Sequence, residues 1–237
     1  MRKLSVLIAL FCLVVPVAGQ QSQQQQQKAD PASKLLQFQM VLLKRGPRAT
    51  PADWETSDLR KEHVTYVRSL IASDKAMIAG RIMDDADLRG VVIFRTKSAD
   101  EARAWIMGDP AIIAGHYEVE MHPWWSEDVM KKTTTPDKSM TAYLAFLVRG
   151  DKWTPEKTPQ TEAIQKAHMD NINRLADMKK LVVAGPFGDN GALRGIFVFR
   201  VGSLEEAREL AATDPAVKAG RLALQIHPWV VPDGILP

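Results

Sequence analysis

The chain has 237 residues, of which 46% are hydrophobic and 25% charged, with a formal net charge of +3 and a single cysteine. That is enough apolar material for a compact pair of small domains, and the near-balanced charge, with no Lys/Arg cluster interleaved with aromatics, excludes a nucleic-acid footprint. The lone Cys12 lies in an N-terminal leader, so the rest of the chain has no disulfide, no thiolate nucleophile and no cysteine zinc site.

Residues 1–19, MRKLSVLIALFCLVVPVAG, place Arg2 and Lys3 before a short apolar run that ends in small residues, the layout of a signal peptide cleaved before Gln20. The run is short for a bilayer span and lacks a basic stop-transfer flank. The mature protein is therefore expected to be periplasmic or secreted, with no membrane attachment. Residues 20–33, polar and rich in Gln, cannot bury enough apolar surface to order and read as a flexible lead-in.

A first structured copy is expected over residues 34–125. Leu35 to Gly46 is a mostly apolar strand candidate, and from about Glu55 to Ser73 the positions Leu59, Val67, Leu70 and Ile71 follow a helical period. KAMIAG (75–80) and LRGVVIFRT (88–96) read as two strands around a short polar turn. Ser98 and Glu101 have capping-box spacing and predict an amphipathic helix. YEVEMH (117–122) alternates apolar and polar, as a last strand with one wet face should. His122-Pro123-Trp124 ends it; proline is expected to stop ladder pairing there, and tryptophan to cap an end of the core or wall a pocket. A linker is expected at 126–139, and the same order then returns over residues 140–237. There MTAYLAFLVRG is the first strand, GDNG (188–191) a hairpin signal, Ser203 and Glu206 the capping pair, and LALQIH (222–227) the last strand.

The repetition is nearly in register. His63, Gly80, Gly90, Asp109, Gly115 and His122 recur 105 positions later as His168, Gly185, Gly195, Asp214, Gly220 and His227. Each copy reads β-α-β-β-α-β, the ferredoxin-like order, with both helices on one face of a four-stranded antiparallel sheet. The other face is apolar and needs a cover. The chain is thus expected to be α+β, with two ferredoxin-like repeats packed as an intramolecular pseudo-dimer, their sheets face to face.

The helix His, the AGP of the second copy, the S-x-x-E-A opening of the next helix and the DP-x-x-x-AG after it resemble the YCII-related family of dimeric α/β-barrel proteins. The first copy matches less closely, with AGR at Ala79–Arg81 and no glycine in its turn. The resemblance implies that the His and Asp form the active pair, as expected of a family a few of whose members resemble lactone isomerases or dehydrochlorinases, and it leaves the substrate open. On it, His168 and Asp214 are the first choice for catalytic residues, since the second copy keeps AGP and GDNG; His63 and Asp109 are the second choice.

The residues themselves allow two readings of each pair. Both histidines lie on the apolar stripe of their helix, His63 between Leu59 and Val67 and His168 between Ile164 and Ile172. An imidazole held there by a carboxylate suits a general base. A core histidine beside an Asp-Pro helix cap is the structural alternative. Arg194, Trp229 and His227 are candidates for binding a small, anionic substrate, with Arg89 the counterpart of Arg194; packing and surface roles compete with this. His116, Glu118, Glu120 and His122 share a strand face and are types that divalent metals take. Same-face neighbours lie about 7 Å apart, however, and the second copy has Arg221, Ala223 and Gln225 in three of those places. No metal and no cofactor are expected. Two functions remain: an exported enzyme using a His-Asp base for isomerisation, elimination or hydrolysis of a small molecule, or a non-catalytic ligand-binding or structural module. Further self-association is compatible with either.

Overall fold

The computed structural model describes residues 35–49, 53–131 and 135–237; the segments read as a signal peptide (1–19) and a flexible lead-in (20–33) lie outside the described residues. In the first copy β1 (Leu36–Arg45) leads to α1 (Asp58–Ala72), β2 (Ala76–Ile82), β3 (Leu88–Phe94), α2 (Ala99–Ile106), the one-turn α3 (Pro110–Ile113) and β4 (Tyr117–Ser126). The second repeats this as β5 (Thr135–Arg149), α4 (Pro159–Asp177), β6 (Leu181–Pro186), β7 (Leu193–Phe199), α5 (Leu204–Ala212), α6 (Pro215–Lys218) and β8 (Leu222–Asp233). Strand β5 starts inside the stretch read as linker. Its polar first residues carry little strand signal; pairing of Ser139 with Pro232 of the long β8 supplies the order instead.

Helix starts follow local chemistry. Ser98 Oγ accepts the Glu101 N–H and Ser203 Oγ the Glu206 N–H, at 3.2 and 3.1 Å. The expected reciprocal halves of these boxes do not form. Glu101 accepts from the Thr96 hydroxyl at 2.5 Å, and Glu206 from the Gly202 N–H at 3.0 Å and from Lys180 at 2.8 Å. Donors just outside the cap win the carboxylate. A complete box appears at α4, where Thr158 and Thr161 each accept the other's N–H.

Each copy has the strand order β4-β1-β3-β2 or β8-β5-β7-β6, all antiparallel, and β2 pairs with β8 to make one eight-stranded sheet. The outer edges meet as well: Trp124 bridges Phe187, and the Gly188 N–H donates to Pro123 C=O at 2.8 Å. The Met83 N–H makes the matching bond to Pro228 C=O, at 3.0 Å, on the β2–β8 side. The sheet curls into a barrel with two related seams, so the copies join edge to edge as well as face to face.

The prolines of the HPW motifs do not end their strands. Pro123 stays in register with Gln39 of β1, and Pro228 with Tyr143 of β5. In an antiparallel strand a residue's N–H and C=O point to the same neighbour. Both proline carbonyls point to a seam, so the missing N–H faces the seam and the β1 and β5 ladders lose nothing.

Among the described residues three apolar clusters form the core. Residues from both copies fill the barrel, among them Phe38, Met40, Trp124, Phe146, Ile196 and Trp229. Outside it, α1 and α2 close one core with Leu70 and Ile106 over Val92 and Phe94, and α4 and α5 close the other with Leu175 and Ala207 over Phe197 and Phe199. Gly80 and Gly185 lie at the seams because a side chain would collide there. A Cβ on Gly80 would come within 2.2 Å of the Trp229 indole, and one on Gly185 within 1.9 Å of the Trp125 carbonyl oxygen.

Candidate functional site

Both expected His-Asp pairs form. His63 Nδ1 lies 2.6 Å from Asp109 Oδ2, and His168 Nδ1 2.7 Å from Asp214 Oδ2. The apolar stripes of α1 and α4 bring the rings inward, and the two aspartates, at the N-caps of α3 and α6, are fully buried. Their other oxygen is occupied too: Asp109 Oδ1 accepts the Ala111 N–H at 2.9 Å, and Asp214 Oδ1 the Ala216 N–H at 2.8 Å. Capping and histidine pairing are therefore one arrangement. With Nδ1–H directed at a fixed carboxylate, Nε2 carries the free lone pair, as a general base requires.

The surroundings of the pairs differ. His168 lies over Phe197, with ring centroids 5.9 Å apart and planes 20° apart, and Leu181 packs in the same cluster. At the corresponding places the first copy has Val92 and Ala76. Beside those smaller side chains runs a cleft of about 950 Å³, bordered by His63, Val67, Val92, Tyr117 and, across the seam, Val231 and Ile235. Its lining is mainly apolar; Arg89, Lys131 and Lys138 add positive charge, while Arg60 and Arg81, also at its border, pair with Glu55. Trp54 stacks on His116, with centroids 3.7 Å apart, and both pack edge-on to Tyr117, which is itself 5.2 Å from His63. Burial, and secondarily repulsion from the neighbouring His63 when both rings would be protonated, holds His116 below the ordinary imidazole range, while burial pushes the Tyr117 hydroxyl far up. Both are neutral near pH 7.

The other binding candidates lie apart from the dyads. Trp229 is fully buried in the barrel core and stands among packing residues. His227 Nδ1 meets Asp84 Oδ2 at 2.8 Å, across the β2–β8 seam. Arg194 lies 5.5 Å from the Trp153 ring centroid, and its Nη1 is buried with no partner among the described residues. Burial, then the charge of Arg149, lowers the Arg194 pKa.

A second carboxylate–histidine arrangement went unseen in the sequence. His122 Nδ1 lies 2.5 Å from Asp189 Oδ2 across the β4–β6 seam, and Nε2 lies 2.8 Å from Glu120 Oε1. Both bonds form at once on an imidazolium, which donates from both nitrogens. Glu120 also pairs with Lys44. Of the strand-face quartet, only Glu120 and His122 thus make contact. Among the described residues no group of three or more His, Cys, Asp or Glu donors is placed to hold a metal ion.

The YCII-related domain matches residues 38–124 and again residues 145–230. The uncharacterised protein YjpA of Bacillus subtilis (strain 168) is 34% identical over 90 residues, which is 38% of this chain and 95% of YjpA. Among solved structures, a mutant chlorite dismutase from Candidatus Nitrospira defluvii in complex with cyanide superposes with a TM-score of 0.53 at 10% identity, over 81% of this chain and 90% of that one. The chlorite dismutase from the same organism in complex with imidazole gives 0.52 at 11% identity, over 84% and 92%. At such identities the likeness is one of fold alone: a dimeric α/β barrel.

Proposed function

Because the chain belongs to the YCII-related domain family in both of its halves, we propose that it is a cofactor-independent acid–base enzyme acting on a small organic anion, with His63 as the base and Asp109 as its positioning partner. One observation carries this choice of copy: the oriented His63 borders the 950 Å³ cleft, whereas Phe197 lies against His168. The apolar lining suits the body of a small molecule, and the cationic groups around it suit a carboxylate or enolate. His63 Nε2 takes a proton from a carbon next to a carbonyl, or from water, and returns it in isomerisation, elimination or hydrolysis. The second copy then serves as scaffold, and there the reading of a non-catalytic module fits best. The sequence preference for His168 rested on turn and strand motifs; the cleft gives the preference to His63. Export through the leader at residues 1–19 belongs to the same proposal, and detection of Gln20 as the mature N-terminus tests it.

The catalytic claim is tested without knowing the substrate. The protein is incubated in D2O with a panel of small lactones and keto acids, and deuterium uptake next to the carbonyl is followed by NMR. Uptake should fall about 100-fold or more in His63→Ala and stay within about twofold in His168→Ala. The reverse pattern moves the chemistry to the second copy. Uptake equal in both variants and wild type removes it from both.

A further inference from the structure

The two copies make the same turn after their first strands. Gly46 N–H donates to His116 C=O and Arg48 N–H to Gly115 C=O, at 2.8 and 3.0 Å. In the second copy Gly150 N–H donates to Arg221 C=O and Lys152 N–H to Gly220 C=O, both at 2.9 Å. Ala49 N–H then closes on Gly46 C=O at 3.1 Å, as Trp153 N–H closes on Gly150 C=O at 3.0 Å. By this pattern Ala49 and Trp153 hold equivalent positions, and so do Arg45 and Arg149. Arg89 and Arg194 match through the repeat.

In the second copy the Trp153 indole packs against two guanidinium groups: Arg149 lies 4.0 Å from the ring centroid and Arg194 5.5 Å. In the first copy the arginines recur, but the position equivalent to Trp153 is Ala49, and the nearby indole of Trp54 lies stacked on His116. Where an indole at position 49 would lie there is a pocket of about 230 Å³, lined by Arg45, Ala49, Arg89, Trp54 and His116. Its size is below the roughly 300–1,000 Å³ of drug-sized sites and fits a one- or two-ring molecule. One wall is the Trp54–His116 stack. His116 is 6% exposed, and its Nδ1 has no hydrogen-bond partner among the described residues. A buried ring nitrogen left so is costly unless a ligand meets it.

We propose that this pocket binds a planar aromatic molecule, whose ring takes the position that the Trp153 indole takes in the second copy, against Arg45 and Arg89 and beside the Trp54–His116 stack. The second copy carries its own built-in occupant; the first accepts one from solution. Arg81 and Glu55 also border the pocket but pair with each other at 2.5 Å, and the Asp84 carboxylate is engaged by His227. Arg89 spends one N–H on the Asp84 carbonyl at 3.3 Å, and Asp85 stands at the border as well, so the aromatic surface and the faces of Arg45 and Arg89 do the recognising. The site stands whether or not His63 is a base, because its readout is binding alone.

The test is titration of the full chain with indole to millimolar concentration, followed by amide chemical shifts in two-dimensional NMR. Wild type should show saturable shifts at Arg89 and His116. Ala49→Trp, which fills the pocket as in the second copy, should weaken binding there at least tenfold. Trp153→Ala, a change at a half-buried position, should add a second set of shifts at Arg194 and Arg221, and this arm does not depend on how Ala49→Trp folds. Absence of shifts at Arg89 and His116 in wild type overturns the proposal. So does their persistence at unchanged affinity in Ala49→Trp, or the absence of a second site in Trp153→Ala.

Discussion

Asp109 and Asp214 show how far a single residue can be read from a sequence. Asp-Pro spacing marks a helix cap, and the repeated His-Asp separation marks a pair; these stood as rival readings. A carboxylate has two oxygens, and here each reading takes one. The seam histidines were not legible in this way. The partner of His122 is 67 residues away and that of His227 is 143 away, each in the other copy. The one trace in the sequence is an aspartate in both β2–β3 type turns, Asp84 and Asp189. These contacts have a pH signature. Burial raises the Glu120 and Asp189 carboxyls, but the hydrogen bonds and charges of Lys44 and His122 on Glu120, and of His122 with the Gly191 N–H on Asp189, outweigh it and leave both below the usual carboxylate range. A carboxylate whose pKa is lower folded than unfolded stabilises the fold fully above its unfolded value, about 4. That contribution fades as pH falls through the folded value. Urea unfolding at pH 5 and pH 3 should therefore show a loss of stability in wild type that is smaller in Asp189→Asn. An equal loss in both would mean that the His122 contact does not contribute.

At the scale of the element, strands and helices were legible because their signals are periodic and local. Strand ends were not. Pro123 and Pro228 look like terminators until the neighbour that each carbonyl faces is known, and that neighbour belongs to the other copy. The repeated Ala-Gly of β2 and β6 was legible as a motif but not as a cause. Its cause is close approach: the last strand of one copy passes over the glycine of the other, at the Trp229 side chain for Gly80 and the Trp125 backbone for Gly185. A backbone carbonyl cannot rotate away as a side-chain tip can. Gly185→Ala should thus cost about 1–3 kcal/mol, read as a lower urea midpoint with an unchanged slope. An unchanged midpoint would mean that the β4–β6 seam has slack that the packing does not suggest.

For the whole molecule, the duplication announced a pseudo-dimer, and the apolar inner face announced that the copies cover each other. How they join was hidden, because backbone pairing at the seams leaves no side-chain signature. A single copy lacks both seam partners and exposes the inner faces of β1 and β3, with Phe38, Met40 and Ile93. Residues 35–131 expressed alone should accordingly associate, giving a dimer or larger species in analytical ultracentrifugation. A monomer as heat-stable as the full chain would show that the seams are dispensable.

Fusion also changes what a vacancy in the outer layer costs. In a barrel of two identical subunits, any residue small enough to open a cleft under one helix opens its twin under the other, and the lost packing is incurred twice. Here one chain holds Val92 and Ala76 on one side and Phe197 and Leu181 on the other. The covalent link lets half of the molecule give up density for access while the other half keeps it, an asymmetry that no homodimer of either half can reach.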